Sequence, residues 1–204
     1  MKNLTFRPLW LIAATWVHPS LASDIPGDEA SWDSIATRPV PVECTRVDGS
    51  PWCRSAGVIE ASVTEVDNAL RNMSKHAHLF ESVIRIDVLE DDILHIVLDY
   101  PSPLDDRDYV ARYDYAQSGD VRTFRWESVR HPAAPEGTDV VRLPNFAGEW
   151  RFSPHERGTW VQYTWQAEIN GSFPALGYKT AWKRAGHEAL RDLAQTQGAG
   201  LIAP

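Results

Sequence analysis

Between residues 83 and 169 apolar and polar positions alternate in short runs broken by polar turns, the pattern of half-buried strands. The runs 83–88, 93–100, 108–115, 121–129, 140–143, 149–152 and 159–169 read as an antiparallel meander, with Glu90-Asp91-Asp92 and Ser118-Gly119-Asp120 as tight turns. Upstream, Ser62-Val63-Thr64-Glu65 has capping-box spacing, and Val63, Val66, Leu70 and Met73 follow at helical intervals, which predicts an amphipathic helix to about Lys75. Downstream, Pro174 suits the first turn of a second helix that should end near Gly198. Its apolar stripe is Ala175, Tyr178, Trp182, Ala185, Ala189 and Leu193. At ~33 Å such a helix is long enough to cover a sheet. The fold class is therefore α+β, a curved antiparallel sheet under a long C-terminal helix.

Period two assigns the sheet faces. With Leu94, Ile96, Leu98 and Tyr100 inward, the later strands add Tyr109, Ala111 and Tyr113, then Phe124, Trp126 and Ser128, then Trp150 and Phe152, then Val161, Tyr163 and Trp165. The opposite face carries His95, Arg112, Asp114, Arg125, Glu127, Gln162 and Gln166, and is expected to meet solvent. An aromatic face beneath a long helix either packs solid or encloses a cavity, and periodicity leaves both open. Two of these strands are joined through Asp99-Tyr100-Pro101-Ser102-Pro103-Leu104-Asp105-Asp106-Arg107-Asp108, a corner that prolines fix without glycine. Arg107 among three aspartates predicts a salt bridge that holds the corner. His131 opens a proline-stiffened loop over residues 131–137, either solvated or at a pocket mouth.

At the other end, Lys2 and Arg7 flank a polar start, residues 9–17 are apolar, and Ser20-Leu21-Ala22 places small residues at cleavage positions. Residues 1–22 read as a signal peptide whose apolar run is too short to span a bilayer, so the mature protein is expected to be periplasmic or secreted. A brief helix is expected around Ser31-Trp32-Asp33-Ser34-Ile35. Cys44 and Cys53 flank Asp48-Gly49, which favours a two-residue hairpin turn. That register sets Arg46 opposite Pro51 and Cys44 opposite Cys53, both at non-hydrogen-bonded positions where the chains lie closest. A disulfide between the two cysteines follows, in keeping with export.

A chain of 204 residues, 43% hydrophobic, can bury one substantial core. Nine tryptophans, six tyrosines and six phenylalanines fill such a core or line a pocket. The net charge of −8, with basic residues interleaved among acids, gives no counterion-releasing stripe and excludes a nucleic-acid partner. The sequence holds no Gly-x-Ser-x-Gly, His-Glu-x-x-His, P-loop or Gly-x-Gly-x-x-Gly motif, so neither a catalytic residue nor a cofactor or metal is expected. His76 and His78, two apart and on different helix faces, read as solvated or capping residues.

The ordered set Asp99-Tyr100-Pro101-Ser102-Pro103, Asp106-Arg107-Asp108-Tyr109-Val110, Ser128-Val129-Arg130-His131-Pro132, Pro135, Val141-Arg142, Gly148-Glu149-Trp150 and Glu168-Ile169-Asn170-Gly171-Ser172-Phe173-Pro174 resembles the START domains, related to the steroidogenic acute regulatory protein. The match is dense over 99–174 and weaker over about 40–196. The resemblance implies a helix-grip fold, with the C-terminal helix over a deep cavity that holds a sterol, phospholipid or other hydrophobic molecule. Domain boundaries on that reading are a signal peptide 1–22, an N-terminal segment 23–39, a START-like domain 40–197 and a tail 198–204. The expected ligand-binding residues are Leu94, Ile96, Leu98, Tyr109, Ala111, Tyr113, Phe124, Trp126, Ser128, Trp150, Val161, Tyr163, Trp165, Tyr178 and Trp182. Sterol-binding relatives place an acid and an arginine at the pocket floor; here Leu94 and Tyr113 stand at those places and Arg112 is out of phase. The expected protein is a monomeric carrier of a lipid, sterol-like or fatty acyl molecule, with transient membrane contact. The alternatives are an aromatase/cyclase-type enzyme and an interaction module with a collapsed cavity.

Overall fold

The computed structural model describes residues 25–102, 104–137, 139–170 and 177–204. The expected signal peptide, Pro103 and the helix start at Pro174 and Ala175 lie outside the described residues. The elements in order are β1 (Asp33–Ala36), β2 (Val42–Val47), β3 (Ser50–Ile59), α1 (Val63–Arg71), a 3-10 turn (Met73–Lys75), α2 (His76–Leu79), β4 (Val83–Glu90), β5 (Ile93–Leu98), β6 (Arg107–Ser118), β7 (Val121–Ser128), β8 (Val141–Arg142), β9 (Ala147–His155), β10 (Gly158–Gln166), α3 (Tyr178–Thr196) and β11 (Leu201–Ile202). They form one sheet in the order β1-β2-β3-β10-β9-β7-β6-β5-β4, antiparallel along that path. β8 runs parallel beside β6, and β11 pairs with β3. The meander is thus as the alternation predicts except at residues 140–143, where the expected antiparallel strand is only the two-residue β8, parallel to β6 and outside the meander path, and α3 completes a helix-grip.

Local chemistry explains the boundaries. Asp48 and Gly49 both have positive φ, 49° and 86°, as the two-residue hairpin turn requires. The predicted register follows, with Cys44 opposite Cys53, their Cα atoms 4.0 Å apart and the disulfide formed. Ser62 and Glu65 form the capping box of α1. That helix stops at Arg71 rather than near Lys75, because Asn72 leaves helical φ/ψ and the chain tightens into the 3-10 turn before α2. The expected brief helix near Trp32 is instead an edge strand, with Asp33 paired to Cys44; Trp32 hydrogen-bonds Gly27 and carries the Arg54 guanidinium on its ring.

The outer sheet face also differs from expectation. His95 is buried, with Nε2 2.7 Å from Asp108 Oδ2, and Arg142 on β8 donates to both Asp108 oxygens at 2.8 Å. β8 and the loop before it cover this face, and Ala134 packs on Ile93 and Val110 in a small second core. Burial pushes the Asp108 carboxyl up, but hydrogen bonds from Arg142 and His95 outweigh it and hold the group below its ordinary value. His131 belongs to this outer side, 3.1 Å from Glu90, and not to a pocket mouth.

Candidate functional site

α3 meets the sheet through two different faces. Gly186, Leu190, Leu193 and Ala194 are buried, and a Cβ on Gly186 would come within 2.9 Å of Trp165 and 3.1 Å of Ser55 and Val42. The missing side chain lets helix and sheet close there. The adjacent face sets the methyl groups of Ala181, Ala185 and Ala189, beside Trp182, toward the concave aromatic surface. The buried stripe is therefore rotated from the expected one, and Ala185 is exposed to the space the rotation leaves. That space is a cavity of about 530 Å³, within the range of small-molecule sites.

Of the residues singled out from sequence, Ile96, Leu98, Tyr109, Tyr113, Phe124, Trp126, Trp150, Tyr163, Trp165 and Trp182 line this cavity. Leu94, Ala111, Ser128, Val161 and Tyr178 lie off it. Ala111 and its cross-strand partner Leu94 are wholly buried, since the methyl sits between the longer Tyr109 and Tyr113 on the same strand face. Ser128 spends its hydroxyl on the 143–146 segment, donating to Phe146 O at 2.9 Å and accepting from Phe146 N at 2.8 Å. Val161 packs with Phe152 and Ile59 in the solid part of the core. Tyr178 turns its hydroxyl to Ile169 O at 3.3 Å.

Sequence reasoning missed several lining residues: His76 and Phe80 from the α2 region, Leu143 and Phe146 after β8, and Ala167 to Ile169 before α3. Gln166, assigned to the outer face, also lines the cavity, where β10 ends. A signal for the first pair exists, because the helical spacing Val66, Leu70, Met73 continues to His76 and Phe80. The proline corner supports the same wall. Arg107 shares the inward parity of Tyr109, so it cannot reach Asp108, which points outward. Instead of the expected salt bridge, its guanidinium donates to the carbonyls of Asp105 and Asn170 and lies 4.6 Å over the Tyr100 ring. Arg107 thereby ties the corner to the segment that leads into α3.

The walls are a run of stacked and tilted rings. Phe80 lies on Trp150 at 5.9 Å, Trp150 on Tyr163 at 4.4 Å, and Tyr163 on Trp165 at 4.8 Å. Polar groups are set among these rings. Burial drives the phenols of Tyr109, Tyr113 and Tyr163 well above the ordinary tyrosine range. These phenols are neutral donors, not bases. His76 is buried with Nε2 2.8 Å from Leu70 O, and burial lowers its pKa despite that bond. Trp126 Nε1 is buried without a partner among the described residues. Asp99, Glu168, Glu188 and Asp192 add carboxylates to the lining, and Arg184 is paired with Glu188 at 2.7 Å.

This architecture has solved counterparts. The StAR-related lipid transfer protein of Xanthomonas axonopodis superposes with a TM-score of 0.68 at 24% identity, over 81% of this chain and 97% of that one. Human StAR-related lipid transfer protein 5 gives 0.69 at 16% identity, over 82% and 86%. The chain has the START fold. The Zhui aromatase/cyclase from a Streptomyces species shares the architecture more loosely, with a TM-score of 0.51, 14% identity and coverage of 72% and 93%. No family model matches the chain. In sequence, 82 residues are 33% identical to mouse StAR-related lipid transfer protein 7, mitochondrial. That START match covers 36% of this chain and only 22% of the mouse protein. Among the described residues no helix is long and apolar enough to cross a membrane.

Proposed function

We propose that this chain is an exported carrier that encloses one hydrophobic small molecule between the sheet and α3. The observation that carries the reading is the aromatic cavity of about 530 Å³ beneath the methyl face of the helix. Burying an apolar ligand there gains ~25 cal/mol for each Å² removed from water. The ligand-binding residues would be Ile96, Leu98, Tyr109, Tyr113, Phe124, Trp126, Trp150, Tyr163, Trp165 and Trp182, joined by His76, Phe80, Leu143 and Phe146. Export rests on residues 1–22 and fits the disulfide. The carrier would act as a monomer, exchanging its ligand during transient membrane contact as α3 and the segment before it move.

The likeness to an aromatase/cyclase keeps an enzymatic reading in view. Against it, the cavity phenols are held protonated by burial, so they can orient a substrate but not take its proton. The open cavity weighs against a collapsed interaction module. Native mass spectrometry and solvent extraction of protein purified from its own host test the proposal. A bound apolar molecule released on unfolding is the expected result. Protein that leaves the host empty and fails to take up a hydrophobic fluorophore would overturn it.

A further inference from the structure

We propose that His76 is a specificity-determining residue of the cavity, and that the ligand it selects carries an uncharged hydrogen-bond donor, a hydroxyl, at its polar end. The inference rests on the carrier reading. Leu70 O can only accept, so the 2.8 Å contact makes Nε2 the protonated nitrogen and leaves Nδ1 with its lone pair. Among the described residues no group donates to Nδ1, and the atom is not occluded. The ring lines the cavity, so its open acceptor belongs to that space. Edge-on contacts to Phe80, Tyr113 and Phe124 at 5.7, 6.4 and 6.2 Å hold the ring in this orientation. A buried acceptor prepared in this way is costly to leave unmade, so an occupant that donates to it is favoured.

The surrounding charges narrow the class further. Asp99, Glu168, Glu188 and Asp192 are acidic residues of the lining, while the lining's Arg184 is exposed and pairs through Nε with Glu188. A carboxylate or phosphate buried beside the imidazole would face a mainly acidic set of charged lining residues, with the exposed Arg184 already shared with Glu188, and would be poorly paired. A hydroxyl avoids this cost. It can donate to His76 Nδ1 and accept from a phenol of the Tyr109–Tyr113 pair, whose second ring stands 6.4 Å from the imidazole.

Titration of tryptophan fluorescence with 1-dodecanol, 1-methoxydodecane and dodecanoate at near-neutral pH tests this, since Trp126, Trp150, Trp165 and Trp182 line the cavity. The alcohol should bind about tenfold more tightly than its methyl ether, the effect of one buried hydrogen bond left unmade. Dodecanoate, ionised under these conditions, should bind more weakly than the alcohol. His76→Phe should bring the alcohol-to-ether ratio near one, and His76→Asn, which keeps an acceptor, should restore part of the preference. Equal binding of alcohol and ether by the unaltered protein, or a preference that survives His76→Phe, would overturn the inference and leave the carrier reading standing. Failure of all three probes to bind would overturn both. The comparison in the unaltered protein decides whether a donor is read even where a variant does not fold.

Discussion

β5 and β6 present polar groups on both faces, and the two faces use them in opposite ways. Outward, Asp108 accepts from His95 and from two nitrogens of Arg142, and His95 Nδ1 lies 3.3 Å from Asp87. Inward, the Tyr109 and Tyr113 phenols are buried and neutral beside the cavity, and His76 keeps an acceptor that the described residues leave open. The outer network is closed on itself and locks β8 to β6. The inner groups retain capacity beside a void. Polar side chains buried to equal degree can thus be structural or available, and the difference lies in whether the protein supplies every partner.

Removing the centre of the closed network should have the largest effect. Asp108→Ala leaves Arg142 and His95 without their carboxylate and should cost about 3 kcal/mol in denaturant unfolding, the lower end for breaking a buried pair, because Arg142 keeps some solvent contact. The same group predicts acid behaviour. Its folded pKa lies below the unfolded one, so its stabilisation is present above about pH 4 and is lost as pH falls through the folded value. Asp108→Asn should therefore flatten the fall of stability below about pH 4. An unchanged acid profile would show that the outer network does not hold the fold, and the contrast between faces would fail.

A smaller loss separates stability from binding. Cys44 and Cys53 close a short hairpin and neither lines the cavity. Replacing both with serine should cost about 2–3 kcal/mol through the freed loop entropy of the unfolded chain. Affinity for dodecanol at temperatures where the variant remains folded should not change. If affinity falls in parallel with stability, the cavity is not independently formed, and the inner face depends on the hairpin more than its contacts imply.

The sheet was legible because alternation over 83–169 repeats strand after strand, and Asp48-Gly49 alone specified the hairpin register that joins the cysteines. Period two also gave the direction of Tyr109, Tyr113, Trp126 and Trp150. It could not give depth: Ala111 and Leu94 point inward and still miss the cavity, since what reaches the void depends on the length of the neighbouring side chains. The rotation of α3 was hidden because a glycine, Gly186, makes the close contact while apolar residues beside it face space. Helical spacing reaches His76, but its role was hidden because it comes from the carbonyl of Leu70 and the edges of three rings, which only the tertiary fold brings together. The outer network escaped notice for a related reason, as β8 is two residues long and its Arg142 meets Asp108 only through tertiary pairing.

The smallest stability effect should come from the inner face. Tyr113→Phe removes one oxygen and leaves the ring against Phe124 at 5.2 Å, so the cost to stability should be about 1 kcal/mol or less, well below that of Asp108→Ala. Its effect on binding should be the larger share: affinity for dodecanol should fall by roughly tenfold and that for 1-methoxydodecane by less, because the alcohol engages both the phenol pair and His76. The sequence of the two effects is what matters. A Tyr113→Phe protein that loses as much stability as Asp108→Ala, with dodecanol affinity intact, would mean that the cavity phenols are structural partners like those on the outer face. A protein that keeps its stability and loses the alcohol places the working polar groups on the inner face, where the fold leaves their hydrogen bonds unfinished.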